Sequence, residues 1–390
     1  MLEFFTAGES HGPGLVVIIN GIPAGLSVSK DQINQELMRR QQGAGRGGRM
    51  KIEKDQAEIL SGIRFGKTIG SPIAMVIRNQ DWENWISTMS QDKELSDIEV
   101  ITQPRPGHAD FAGLLKTGQK DIRNILERAS ARETACRVAA GAVAKRLLRE
   151  MKVTILSHVV RIGTISASYS KPPRSDEYDE IEGSEVRCLD IRVSEQMKRE
   201  IERAKEARDS LGGVFEVIAY GVPPGLGSYA KWDQRLDGRL ARALMSIPAI
   251  KAVEIGDGLE ASQKRGSDVH DEIFYNTSRR FYRKTNRAGG IEGGMTNGEL
   301  VILRACMKPI PTLTKPLKTV DMVSKKTSLA LKERADICAV PAAGVIGEAM
   351  VAIELASAMI EKFGGDCMED IICNYENYLQ RIQNFYSQRS

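Results

Sequence analysis

One stretch of this chain is written twice. Val17-Ile-Ile-Asn-Gly-Ile-Pro-Ala-Gly-Leu-Ser-Val28 is echoed by Val217-Ile-Ala-Tyr-Gly-Val-Pro-Pro-Gly-Leu-Gly-Ser228. Each copy is an apolar, β-branched run that stops at glycine and enters a Pro-Gly turn, the pattern of a strand and its exit. The two halves keep step beyond these turns. A helical stretch comes next (31–41 and 233–246), then short strands (57–63 and 252–255, 73–77 and 300–306). A helix rich in small residues closes each half (131–149 and 342–362). The parallel predicts an ancient duplication; the alternative is coincidence between two Gly-Pro turns. The strands are spaced as hairpins rather than by regular crossover helices, which favours antiparallel sheets. The expected fold is therefore α+β, a β-α-β sandwich with a central helical layer between two antiparallel sheets and an internal pseudo-twofold duplication. It forms a single domain over 1–390, with pseudo-repeats at roughly 1–151 and 212–363 and a C-terminal helix in 364–390.

Composition sets limits on this fold. Of 390 residues, 42% are hydrophobic and 27% charged, which is globular rather than disordered. Aromatics are only 5%, so aliphatic side chains must fill the core. No uncharged apolar run reaches the ~20 residues of a membrane span. The best stretch, Gly14 to Ser29, is broken by Asn20, Gly21, Pro23 and Gly25. The N-terminus carries neither a basic leader nor a cleavage-like tail, so a cytoplasmic protein without a membrane partner is expected. Six cysteines with no CxxC pair read as reduced thiols and not as a zinc site.

Local signals fill in the rest. Ser29 is placed to cap a helix running to about Gln42. Asp81 to Pro106, with Trp82 and Trp85, reads as a long excursion, and Asp121 to Met151 has helical spacing throughout. Val153–Ile165 reads as a strand, and the acid-rich Lys171–Gly183 as a surface loop.

Gly43-Ala-Gly45-Arg-Gly47-Gly48 has GxGxxG spacing, but it follows a helix and leads into a basic segment. A dinucleotide fingerprint must instead follow a strand and open a helix. A mobile loop that approaches a ligand closely fits better, although an NADP-dependent oxidoreductase would use the same glycines.

Arginine carries more weight. Arg39, Arg40, Arg46, Arg49 and Lys51 form one group; Arg105, Lys116, Arg123, Arg128, Arg132 and Arg137 a second; Arg279, Arg280, Arg283, Lys284 and Arg287 a third. With 55 Lys+Arg against 51 Asp+Glu the net charge is only +4, so these groups are local anion sites. Arginine forks grip carboxylate and phosphate. A multiply charged anion is expected, with a solvated face as the plainer reading. Phe281-Tyr282 inside the third group keeps a nucleic-acid-binding protein as the rival.

There are four histidines. His11 and His108 stand in glycine-bracketed turns that can aim a side chain into a cleft, where neutral-pH acid–base chemistry would use them. His158, in an apolar strand, reads as structural and His270 as exposed. No HxxxH spacing suggests a metal.

Six motifs in order resemble the chorismate synthase family. They are Gly8-Glu-Ser-His-Gly12, Gly45-Arg-Gly-Gly-Arg-Met-Lys-Ile-Glu-Lys-Asp55, Arg105-Pro-Gly-His-Ala-Asp110, Arg128-Ala-Ser-Ala-Arg-Glu-Thr134, Ala288-Gly-Gly-Ile-Glu-Gly-Gly294 and Arg334-Ala-Asp336. The likeness runs from Phe4 to about Lys362. It implies a carbon–oxygen lyase that converts 5-enolpyruvylshikimate 3-phosphate into chorismate and phosphate, the last step of the shikimate pathway. This is a trans 1,4-elimination that needs reduced FMN but has no net redox change. It also implies a homotetramer.

By the same resemblance His11 protonates the departing phosphate and His108 sits by the flavin and supports its protonation. Asp336 lies near the flavin N5 and assists proton removal, and Ser10 and Ser130 hydrogen-bond into the site. Arg40, Arg46, Arg49, Arg105, Arg132 and Arg334 match the anion-binding arginines, with Arg40 and Arg46 also matching NADP positions. The FMN side is implied at Arg128, Ala129, Ser130, Gly293, the segment Lys308, Pro309, Ile310, Pro311 and Thr312, and Arg334. Many members have Asn-Ala where Pro248-Ala249 stands. Proline lacks that side-chain amide and the backbone donor, which bears on Ala249 as an FMN contact. Without a long family-style insertion, a separate flavin reductase is expected, with NADPH as an indirect reductant.

Overall fold

In the strand Gly14–Asn20, Leu15, Val17 and Ile19 are buried, while Ile18 and Asn20 are exposed. That alternation is the period of a sheet with one face on a core. The structure, a computed structural model, describes residues 2–47, 53–92, 98–167, 172–278, 280–333 and 335–387. Among them, this strand lies between Glu3–Ala7 and Ile73–Arg78, and Ala57–Ile59 completes a four-stranded antiparallel sheet. A second, five-stranded antiparallel sheet runs Ile250–Ile255, Val301–Met307, Gly213–Tyr220, Thr154–Ile162, Ile165–Ser166.

The sheets have matching orders. In each, the strand bearing the repeated motif pairs on one side with an earlier strand, Glu3–Ala7 in the first sheet and Thr154–Ile162, which precedes the repeat at 212–363, in the second. On the other side it pairs with Ile73–Arg78 in the first sheet and Val301–Met307 in the second. The turns match atom for atom. Thr68 Oγ1 donates to the Pro23 carbonyl at 2.6 Å and accepts the Leu26 amide at 2.9 Å. Thr296 Oγ1 donates to the Pro223 carbonyl at 2.7 Å and accepts the Leu226 amide at 2.9 Å.

Helix Lys30–Gln41 starts where Ser29 predicts. Ser29 Oγ accepts the Gln32 amide and Gln32 Oε1 accepts the Ser29 amide, both at 3.2 Å, a reciprocal cap. The long helices Thr134–Glu150 and Val340–Phe363 pack on each other. Gly141 allows this: a Cβ there would stand 2.3 Å from Ala349 Cβ. The first long helix lies on Gly14–Asn20, the second on Thr154–Ile162 and Gly213–Tyr220. One apolar cluster runs through both sheets and both helices, including Val17, Ile77, Val143, Val351, Phe215 and Leu303.

Helix Val340–Phe363 is long and apolar enough to cross a membrane, yet 89% of its most apolar window is buried inside the protein. Its charge explains why the sequence did not flag it. Glu348 interrupts the run and is fully buried. Its carboxylate accepts from Arg39 Nη1 at 2.8 Å, Arg187 Nη2 at 3.0 Å, Lys145 Nζ at 2.5 Å and Ser157 Oγ at 2.6 Å. Burial alone would raise its pKa, but Arg39, Lys145 and Arg187 hold it well below the usual carboxylate range. Arg39 therefore belongs to a core charge cluster and not to the anion-binding group in which its sequence neighbours placed it.

Several element boundaries also need correction. The helical spacing over 121–151 is broken at Ser130, whose extended backbone and Oγ cap a short turn leading into Thr134–Glu150. The strand expected over 57–63 ends at Ile59. The stretch 171–183 is not all loop: Tyr178–Gly183 is helical. The helix Ile191–Glu206, capped by Asp190 Oδ1 at the Arg192 and Val193 amides, was not anticipated.

Candidate active site

Both long helices, Thr134–Glu150 and Val340–Phe363, point their N-terminal ends into one cavity of about 660 Å³. Thr134 opens one helix there, and Ala342, Ala343 and Ile346 form the first turns of the other. Small residues leave room at this end, and helix N-termini favour anions. Of the residues singled out from sequence, the cavity brings together Ser10, His11, Arg40, Arg46, Arg105, His108, Ala129, Ser130, Arg132, Ala249, Lys308, Ile310, Pro311, Thr312 and Asp336.

His11 sits in a turn held from below by Asn79 Nδ2, which donates to the Glu9 and Gly12 carbonyls at 3.1 and 2.7 Å. Its Nδ1 lies 2.9 Å from Glu127 Oε1, and its amide donates to Glu127 Oε2 at 2.8 Å. The ring stacks on Trp85, with centroids 3.9 Å apart and planes 24° from parallel. Ser10 is buried beside it, its amide donating to the Glu127 carbonyl at 3.0 Å. Sequence reasoning missed Glu127 and the placement of Trp85, since a glutamate in a charged helix and a tryptophan in a polar excursion carry no local signal.

His108 follows a turn with Pro106 and Gly107 at its centre, the His108 amide donating to the Arg105 carbonyl at 3.2 Å. Gly107 has φ +80°, which glycine adopts without strain. His108 Nδ1 lies 2.5 Å from Asp110 Oδ1. Burial would raise the Asp110 pKa, but His108 and Arg105 hold it well below the usual range. The Arg105 guanidinium is largely spent within the protein, donating to Asp110 at 2.8 Å, Thr312 Oγ1 at 2.9 Å and Glu333 at 3.0 Å. Its geometry is that of a brace for the His108 turn.

Two further arginines share one carboxylate. Arg40 Nη1 donates to Asp55 Oδ2 at 3.2 Å, and Arg132 Nη1 donates to Asp55 Oδ1. Arg40 also donates to Thr134 Oγ1 and the Ala131 carbonyl, both at 3.0 Å. Burial lowers the Arg40 pKa to about 10; Asp55 opposes this, while Arg132 and Arg46 add to it. Arg46 Nη1 donates to Asp336 Oδ2 at 2.5 Å. The glycine segment 43–47 is docked against this strand of chain, with the Ile337 amide donating to the Gly45 carbonyl at 2.7 Å.

Also lining the cavity, Lys308 donates its amide to the Ala249 carbonyl at 2.9 Å and its Nζ to the Gly107 carbonyl at 2.5 Å. Ala249 itself has φ +69°, uncommon for a residue with a Cβ. Three sequence-derived residues lie elsewhere. Arg128 clamps the first strand, donating to the Thr6 carbonyl at 2.8 Å and the Gly8 carbonyl at 3.1 Å. Gly293 occupies the tip of the Ile291–Thr296 hairpin, and Pro309 is not part of the cavity wall. Arg49 and Arg334 lie outside the described residues. His158 is buried with Nε2 2.7 Å from Glu216, away from the cavity, as its strand setting suggested.

A model of the chorismate synthase family matches residues 2–360. The chain belongs to the chorismate synthase family. It is 58% identical over 384 residues to a chorismate synthase of Desulforudis audaxviator, covering 98% of each chain. Against one of Carboxydothermus hydrogenoformans the identity is 55%, over 99% of this chain and all of that one (100%). A crystal structure of a chorismate synthase superposes with a TM-score of 0.80 at 46% identity, over 98% of each chain. Family membership makes the chain an enzyme of the lyase class. Five of the six motifs that were widely spaced in sequence meet at the cavity: the turns of His11 and His108, the Arg46 loop, the Ser130 break and Asp336; the sixth, Ala288–Gly294, does not line it.

Proposed function

We propose that this chain converts 5-enolpyruvylshikimate 3-phosphate into chorismate and phosphate by trans 1,4-elimination, with reduced FMN bound and no net redox change. The observation that carries the reading is the single cavity on which two buried-carboxylate-backed histidines, Asp336 and four arginines converge. The substrate bears a phosphate and two carboxylates, which suits Arg40, Arg46, Arg105 and Arg132 as the anion side. Each already holds a carboxylate of the protein, so the ligand shares or displaces partners instead of meeting bare cations.

The residues present fit a flavin. Leu126, Ile247, Pro248, Met307, Ala339 and Ile346 give apolar walls for a ring system. Lys308 and the chain to Thr312 offer an ammonium and backbone groups for its polar edge, and Lys308 has more N–H bonds than its contact with Gly107 uses. Ala249 can contribute only through its backbone and methyl. Reduced flavin supplies electron density that eases the loss of phosphate. His11 delivers a proton to the departing phosphate oxygen from its cavity-facing edge. Asp336 takes part in removal of the ring proton. His108, held by Asp110, donates or accepts at the flavin side. Ser10 and Ser130 hydrogen-bond at the floor.

The same proposal includes a cytoplasmic homotetramer, a separate flavin reductase with NADPH as indirect reductant, and descent of the two halves from one duplicated unit. The matched Thr68 and Thr296 turn locks support the last point. Arg49 and Arg334 remain part of the proposed ligand set by family resemblance, as do Arg128, Gly293 and Pro309, although none of these three lines the cavity. The nucleic-acid alternative would use all three groups, whereas Arg39, Arg40, Arg105 and Arg132 of the first two are buried and the group around the exposed Phe281 is open to solvent. The test is anaerobic: chorismate should form from the phosphorylated substrate with photoreduced FMN, and should not form with NADPH and oxidised FMN alone. Absence of product with photoreduced FMN would overturn the function; product with NADPH and FMN alone would overturn the need for a separate reductase.

A further inference from the structure

We infer that Glu127 is a positioning residue that fixes the tautomer and aim of His11. The inference rests on the proton-donor role proposed for His11, and its test separates the two.

Glu127 lies on the helix Arg123–Ala129 and its side chain is 1% exposed. Both carboxylate oxygens are within hydrogen-bond reach of His11 Nδ1, at 2.9 and 3.1 Å. One of them also accepts the His11 amide at 2.8 Å, and the Glu127 carbonyl accepts the Ser10 amide. Backbone and ring of the histidine are thus fastened to one residue that is not itself part of the cavity wall. Trp85 fixes the ring from its face, and its own Nε1 donates to Asp81 Oδ2 at 3.2 Å. With one edge and one face held, Nε2 is the ring atom left to meet a ligand.

A carboxylate can only accept, so Nδ1 must carry a proton whenever Glu127 is ionised. Neutral His11 then has its lone pair on Nε2, and charged His11 has an N–H there, with Glu127 as counter-charge. This is the orienting logic of a carboxylate behind a catalytic histidine. A buried His–carboxylate pair can also be merely structural. His158 with Glu216 is one: His158 is fully buried and is not in the cavity wall. His11 differs because it lines the cavity, while Arg123 Nη1 stands 3.6 Å behind Glu127 Oε1 as a counter-charge to that carboxylate.

The experiment pairs Glu127→Gln and Glu127→Asp with His11→Gln, in the full-length protein with reduced FMN. The glutamine keeps size and one acceptor but offers N–H to the ring. Expected for Glu127→Gln is a loss of single-turnover rate on the order of 10²-fold, within the range for disturbed acid–base groups. Substrate KM and FMN affinity should stay within a few-fold of wild type by the same positioning argument. Solid-state ¹⁵N spectra of histidine-labelled protein, with only four histidines to assign, should move the His11 signal from the Nδ1–H to the Nε2–H tautomer. Glu127→Asp should recover part of the rate and keep the wild-type tautomer. If Glu127→Gln turns over like wild type, or slows with the His11 tautomer unchanged, the positioning role is wrong. If His11→Gln turns over like wild type, the role of His11 itself is wrong, whatever Glu127 does.

Discussion

Arg46 and Asp336, 290 positions apart, form a 2.5 Å ion pair, and the Gly47 amide donates to the other oxygen of the same carboxylate at 2.6 Å. Asp336 does not cap the next helix; that position is Ala339, which makes no side-chain cap. Its carboxylate instead pins the glycine segment and holds an arginine that the substrate's anions would seek. Asp336→Asn keeps an acceptor for Gly47 but loses the charge and the ability to take a proton. Folding and FMN affinity should stay near native, and substrate KM should not rise, because Arg46 loses a competitor. Single-turnover rate should fall on the order of tenfold or more, the lower part of the acid–base range. An early-melting variant whose folded fraction turns over normally would reduce Asp336 to a structural clasp.

For His11 the expectation is kinetic. Replacing it by alanine removes the ring that stacks on Trp85 and faces the cavity, while Glu127 can still accept the backbone amide of residue 11. The variant should bind FMN and substrate yet lose ~10²–10⁴-fold in rate at the step that releases phosphate. Rapid-quench measurement of phosphate tells the outcome. Release within a few-fold of wild type removes His11 from the reaction.

The two histidines were legible because glycine-bracketed turns in a chain with so few histidines are unusual, and such turns present side chains. Their partners were not. Glu127, Asp110 and Asp55 look like ordinary surface acids until the fold brings them against His11, His108 and the Arg40–Arg132 pair. The same blindness misassigned Arg39: adjacent residues on Lys30–Gln41 point in different directions, so Arg40 reaches Asp55 at the cavity while Arg39 reaches Glu348 in the core. The repeat made the succession of strands and helices along each half readable. It could not reveal the break at Ser130, because apolar spacing continues across it and only a hydroxyl cap ends the helix.

Gly45 tests the docked glycine segment. It has φ +83°, and a Cβ there would stand 3.0 Å from the Cys338 backbone nitrogen and Cβ. Gly45→Ala should therefore loosen the segment, at a cost of roughly 1 kcal/mol or more in the docked state. Hydrogen exchange across 43–47 should quicken and substrate KM should rise, with the core strands still protected. In the wild-type protein, adding FMN and substrate together should slow exchange over the same residues. Identical exchange with and without both ligands would mean that the segment is fully set before binding and takes no part in it.

Glu348 gives the sharpest stability test. It faces Arg39, Lys145 and Arg187 inside the core, with Glu36 sharing Arg39 and Lys145. Glu348→Gln leaves these buried cations short of a charge, and breaking such a cluster from one side costs about 3–5 kcal/mol. The effect should depend on pH in one direction. The folded carboxylate titrates below its ordinary value of 4.5, so the unfolded chain takes up the proton first as pH falls. The stability it contributes is complete above that ordinary value and is lost as pH falls toward the lowered one. Urea denaturation of both proteins in a series of buffers should therefore show the widest gap near neutrality, narrowing below about pH 4.5 as wild type loses the advantage. Glu36, also lowered, stays in both proteins; the variant relieves it of the Glu348 charge that works against that lowering, so Glu36 adds an acid-side slope to each protein. A gap that stays constant down to the acid limit would mean that Glu348 titrates alike in folded and unfolded chains, and that the core cluster is not held by its charge.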